Sequence, residues 1–245
     1  MNHSRSFSML CAAAIFFFSS CNDSGTKAET ETKAEDTTTA TASTPAPASS
    51  IVSTPQNMMV VIHKVSNFQK WKTSYDAHDS MRLANGIHNY VVARGIEDSN
   101  KVMVAVKIDD VDKAKAFAKD ASLKTAMQKG GVVGKPNIMF NTMIFQDTSA
   151  TNSSIRSLTT FTVKDWDAWR KSFDSRKQLR IDNGLADRAY GYSVDDNHKV
   201  ALVVVVNDTA KANAYWNSDL IKKNRAESGV VGNVDRFLYR VVQRY

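Results

Sequence analysis

The chain has 245 residues, 42% of them apolar and 23% charged, with a net charge of +7. Those proportions exclude a chain disordered throughout, and no apolar run reaches the roughly 18 residues of a spanning helix, which excludes a multi-pass membrane protein. Both cysteines, Cys11 and Cys21, fall at the very start, so the remainder has neither a disulfide nor a thiolate metal site.

Residues 1–20 read as a signal peptide: polar and basic at Asn2–Ser6, apolar from Met9 to Phe18, then Ser19 and Ser20 before Cys21. The apolar tract is too short to span. A cysteine directly after two small residues resembles the bacterial lipoprotein cleavage box. That resemblance implies lipidation of Cys21, with the membrane as a partner and the protein exported and anchored in the cell envelope, at the outer membrane. Asn22-Asp23-Ser24-Gly25 resembles the acidic segment that follows the lipidated cysteine in surface-exported lipoproteins of the Bacteroidetes. Residues 21–56 are expected to be a disordered tether. Thr, Ala, Ser, Pro and Glu dominate it, and its only aliphatics beyond Ala are Ile51 and Val52.

Charge divides at the same boundary. Residues 57–245 hold 29 Lys and Arg against 20 Asp and Glu, a net +9, whereas the tether is acidic. The basic charges alternate with acidic ones, as at Asp109, Asp110, Asp112, Lys113 and Lys115, and no Arg cluster is interleaved with aromatics. Nucleic acid is therefore not an expected partner.

The body is one unit written twice, offset by 98 residues. Val65–Trp71 aligns with Val163–Trp169; Arg82, Asn85 and Gly86 align with Arg180, Asn183 and Gly184. Gly131-Val132-Val133-Gly134 recurs letter for letter at Gly229–Gly232. The units are placed at 57–148 and 152–245. In each, an apolar strand (Met58–His63 in the first) precedes a helix. That helix is opened by Ser66 or Asn67, or by Asp165 in the second unit, and closed by Gly86 or Gly184. Strands at His88–Gly95 and Lys101–Ile108 follow, joined by a turn at Glu97–Asn100. A helix over Asp110–Lys129, broken near Ala121, leads to a last strand at Pro136–Phe145.

The order βαββαβ is that of ferredoxin-like folds, of the α+β class. Val102–Val106 and Val200–Val206 lack a polar face. Helices cover only one face of such a sheet, so the second unit is the expected cover for the other. The expected fold is therefore two ferredoxin-like repeats forming an intramolecular pseudo-dimeric α/β barrel, with no need of self-association to close it.

Element order and the pattern Phe68-x-x-Trp71…Tyr75-Asp76…Arg82…Asn85-Gly86-Ile87…Asp98…Gly131–Gly134 resemble the dimeric α/β barrels, among them the antibiotic-biosynthesis monooxygenases. The resemblance implies a cavity between sheet and helices lined by Trp, Tyr, Asn and Arg. Trp71, Tyr75, His78, Arg82 and Asn85 form one helical stripe, repeated as Trp169, Phe173, Arg176, Arg180 and Asn183. Arg82 and Arg180 either grip an acidic ligand or pair with carboxylates such as Asp76 and Asp174. His78 is the candidate base, and His63, His88 and His198 are weaker ones. No histidines have metal spacing, and there is no phosphate loop or dinucleotide fingerprint, so neither metal nor cofactor is expected. Two functions fit: a tethered binding module for a small apolar or acidic molecule or a protein partner, or a cofactor-independent monooxygenase- or isomerase-like enzyme on an aromatic or polyketide-like substrate.

Overall fold

A computed structural model describes residues 50–245. The signal peptide, Cys21 and nearly all of the tether lie outside the described residues.

Elements run β1 Ile51–Val52, β2 Gln56–Val65, α1 Phe68–Ala77, α2 Asp79–Ala84, β3 Ile87–Gly95, β4 Lys101–Ile108, α3 Val111–Ala118, α4 Ala121–Lys129 and β5 Val132–Asp147. The second half repeats all but β1, as β6 Ile155–Val163, α5 Trp166–Ser175, α6 Lys177–Asp182, β7 Leu185–Ser193, β8 Asp196–Val206, α7 Thr209–Trp216, α8 Asp219–Glu227 and β9 Val230–Arg244. The first helix starts where an extended Asn67 accepts a hydrogen bond from Lys70 N at 2.9 Å, and Asp165 does the same for Ala168 N at 2.6 Å.

The structure departs from the sequence reading in three places. The stripe helix is not continuous: it breaks at His78 and Arg176, whose φ and ψ near −100° and +20° interrupt the helical ladder. The last strand of the first half extends beyond Pro136–Phe145 at both ends. The tether's final residues are not all irregular, for Ile51 and Val52 pair with Asp147 and Gln146, and β2 begins at Gln56.

All strands are antiparallel and form one sheet in the order β1-β5-β2-β4-β3-β9-β6-β8-β7, with β7 pairing back onto β5. The ladder from β5 to β7 therefore returns to its start. Two seams join the halves. Gly95 faces Tyr239 in one and Ser193 faces Asn141 in the other, the same register shifted by 98 residues. In the β5–β7 seam, a methyl group at Gly191 would overlap the Thr142 carbonyl, so this close approach requires glycine.

Alternate residues of each strand enter different cores. From β2 and β4, Met59, Val61, Val104 and Val106 meet Trp71, Ala114 and Phe117 on the helix side. Their neighbours Met58, Met103 and Ala105 join Leu158, Ala201 and Tyr239 of the second half on the opposite side. This explains why Val102–Val106 has no polar residue: both of its faces are buried. No helix among the described residues is long and apolar enough to cross a membrane.

Candidate functional site

Each half encloses a cavity between its helices and the sheet, of about 90 Å³ in the first and about 100 Å³ in the second. The stripe residues meet there. Trp71, Tyr75, His78 and Arg82 line the first cavity, and Trp169, Phe173, Arg176 and Arg180 the second. Asn85 and Asn183 do not. Their side-chain amides turn back to donate to the Met81 and Leu179 carbonyls, at 2.9 and 2.8 Å, and finish the short helices α2 and α6.

The two stripe arginines are both buried, and both have carboxylate partners other than Asp76 and Asp174. Arg180 donates from Nε and Nη2 to the two Asp187 oxygens at 2.6 and 2.7 Å, and from Nη1 to the Phe173 carbonyl at 2.6 Å. Only 7% and 8% of the paired side chains is exposed. In the first half Asn89 replaces Asp187. It accepts from Arg82 Nε at 3.1 Å and from the Tyr75 hydroxyl, and it donates to Asp79 at 2.6 Å. Arg82 also reaches the Tyr75 carbonyl at 2.7 Å and Asp79 at 3.3 Å. Each guanidinium lies over the aromatic ring seven residues earlier, 3.8 Å from Tyr75 and 3.5 Å from Phe173. These arginines hold the helix break against the sheet. Asp76 binds Lys72 and Tyr245 instead, and Asp174 binds Tyr190.

His78 Nδ1 lies 2.6 Å from the Ser74 carbonyl, which makes Nδ1 the protonated nitrogen. His88 pairs with Asp109 at the surface, and His198 contacts the Val163 carbonyl. His63 differs from all of these. It is 6% exposed, and neither ring nitrogen has a hydrogen-bond partner. Burial alone pushes its pKa down to about 4, so the imidazole is neutral at physiological pH. Its parity with Met59, Val61 and Val65 along β2 turns it towards the helices, where its ring lies 5.4 Å from that of Trp71. Trp71 stacks in turn on Tyr75 at 5.1 Å, and burial raises the Tyr75 pKa. The first cavity is thus an aromatic, apolar pocket with one orphaned imidazole in its wall. In the second half Phe161 takes the place of His63, 5.4 Å from Trp169.

The second cavity adds Asn224 and Arg225 of α8 and Arg236 of β9, none of which belongs to the stripe. No cluster of three or more His, Cys, Asp or Glu suited to a metal occurs among the described residues.

The fold is that of known α+β barrels. A putative monooxygenase from Fusobacterium nucleatum subsp. nucleatum superposes with a TM-score of 0.52 at 13% identity, over 77% of this chain and 93% of its own. An anthrone oxidase-like protein superposes with a TM-score of 0.55 at 13% identity, over 80% of this chain and 95% of its own. At such identity the likeness defines the fold class, an α+β protein built on a large antiparallel sheet of the kind found in the monooxygenase-like barrels. No protein-family model matches the chain, and no curated protein does.

Proposed function

We propose that this chain is a small-molecule binding module, carried on a lipid anchor at Cys21 in the cell envelope. Its duplicated halves form an intramolecular pseudo-dimeric barrel. The first cavity takes a small aromatic molecule that bears a hydroxyl group. The observation that carries this reading is His63, buried with both ring nitrogens unpartnered. Leaving such a group unsatisfied costs about 1–3 kcal/mol. A ligand hydroxyl donating to one of those nitrogens would recover that cost, while its ring would pack against Trp71 and Tyr75. The carboxylate-bound Arg82 and the carbonyl-bound His78 would shape the pocket around it.

The test is a thermal-shift and calorimetric comparison of phenol with anisole, which keeps the ring and oxygen but loses the donor. Phenol should stabilise the wild-type protein more than anisole does, and His63→Phe should abolish the difference. Equal responses to the two compounds, or a difference that survives His63→Phe, would remove the basis of the proposal.

A second reading is favoured by the same neutral imidazole, which is free to accept a proton as well as a hydrogen bond. On it, the first cavity is the site of a cofactor-independent enzyme acting on an aromatic or polyketide-like substrate, in keeping with the names of the barrels that share the fold. Oxygen uptake on addition of anthrone, lost in His63→Phe, would select this reading over simple binding.

A further inference from the structure

The second cavity carries charge that the first lacks. Adding 98 to Ala118, Ala126, Met127 and Ile138 of the first wall gives Trp216, Asn224, Arg225 and Arg236 of the second. Four apolar positions have become an indole, an amide and two guanidinium groups, all facing one space.

Other polar groups on this wall have partners, but the Asn224 side-chain nitrogen and Arg236 Nε do not. Arg180 is held by Asp187, and Arg176 reaches Glu227 at 2.9 Å. Among the described residues, no carboxylate lies within ion-pair distance of Arg225 or Arg236. Asn224 is 9% exposed, and its side-chain nitrogen is buried without a partner. The Arg236 Nε is buried without a partner as well, and the guanidinium lies 4.0 Å from the Trp216 ring. Burial first, and the neighbouring Arg225 second, bring the Arg236 pKa down to about 10. It remains a cation at neutral pH, set beside a like charge with no counter-charge. Both orphaned atoms are donors, so the group that completes them is an acceptor, and the uncompensated charge makes it an anion. Phe161, Trp169 and Phe173 supply aromatic wall to this cavity of about 100 Å³.

We propose that the second cavity is a binding site for an aromatic carboxylate, whose two oxygens lie between Arg225, Arg236 and the Asn224 amide while its ring packs among Trp169, Phe173 and Trp216. The flat, two-oxygen group matches the fork of a guanidinium. The site rests on residues of α8 and β9 and is independent of His63 and the first cavity.

The test is calorimetric titration of the full chain with benzoate. Benzamide serves as the neutral counterpart and inorganic phosphate as the ring-free anion. Three variants accompany the wild type: Arg225→Met with Arg236→Ile, which writes the first half's residues into the second, Asn224→Ala, and His63→Phe. Benzoate should bind the wild type at least tenfold more tightly than benzamide or phosphate. The double variant should lose at least tenfold in benzoate affinity while its unliganded melting midpoint stays level or rises. His63→Phe should leave benzoate binding unchanged. If the double variant does not fold, Asn224→Ala carries the test, with a severalfold loss and an intact melting transition. The proposal is overturned if wild type shows no benzoate binding at millimolar concentration, if benzamide or phosphate binds as well as benzoate, if benzoate binds the double variant or Asn224→Ala as it binds wild type, or if His63→Phe weakens benzoate binding as much as they do.

Discussion

His63→Phe should make the protein more stable, and by an amount that grows as the pH falls. The imidazole is buried and makes no hydrogen bond, so its removal relieves a cost of about 1–3 kcal/mol. The ring that replaces it already has a precedent in the fold. Phe161 sits against Trp169 at the same 5.4 Å, and nearly the same tilt, that His63 keeps from Trp71. At pH 7.5 the gain should raise the melting midpoint by about 2–12 °C for a domain of this size. The acid limb follows from the pKa, which burial lowers from 6.5 to about 4. Above pH 6.5 the ring is neutral in both folded and unfolded chains and adds no pH dependence. As the pH falls from about 6.5 to about 4, the unfolded chain takes up the proton and the folded chain does not. Wild type should therefore lose about 3 kcal/mol over that window relative to the variant. Urea unfolding of both proteins at half-unit steps from pH 7.5 to 4 reads the difference directly. Parallel stability curves, or a variant less stable than wild type at every pH, would refute the reading of His63 as an orphaned, neutral group.

Asp187→Asn strands Arg180 in a site with almost no exposure and should cost about 3 kcal/mol in denaturant melts. Asp79→Asn disturbs a carboxylate whose side chain is 46% exposed and should cost under about 1 kcal/mol; equal losses would contradict the contrast drawn between the two arginines. Cys21→Ser should release the protein from membranes in its native host, and quantitative sedimentation of the variant with the envelope would dismiss the lipid anchor. Residues 57–150 expressed alone should dimerise or aggregate, because β3 and β5 would lose their second-half partners; a soluble monomer with a sharp melting transition would count against a single cooperative barrel.

The parts of the fold legible in the sequence were those written in local pattern or in repetition. The caps Asn67 and Asp165, the bounds of Lys101–Ile108 and the break before Ala121 follow from residue chemistry over a few positions. The break at His78 and Arg176 left no such mark. Neither residue caps α2 or α6 with its side chain, and the interruption is fixed by Arg82 and Arg180 bonding back to the carbonyls of residues 75 and 173. At the site, helical spacing brought Trp71, Tyr75, His78 and Arg82 onto one wall, as they are observed. Spacing alone could not show that Asn89 and Asp187, on the following strands, would engage the two arginines. His63 looked like a strand-end histidine. Its inward parity with Met59 and Val61, and its alignment with Phe161, were the signals that mark it. Arg225 and Arg236 lie on different elements and meet only in the folded chain. Their trace in the sequence is that they align with Met127 and Ile138, two charges standing where the other copy is apolar.

Ligand binding in the first cavity rests on the His63 ring nitrogens, and nitrogen-15 spectroscopy of the histidine side chains observes those atoms themselves. In the free protein at pH 7 the His63 ring should give the two well-separated nitrogen signals of a neutral imidazole. Titration with phenol should shift the unprotonated nitrogen as it accepts a hydrogen bond, saturating at the affinity found by calorimetry, while anisole leaves it in place. A protonated His63 at pH 7, or nitrogen signals that ignore phenol at concentrations that stabilise the protein, would contradict the proposed site.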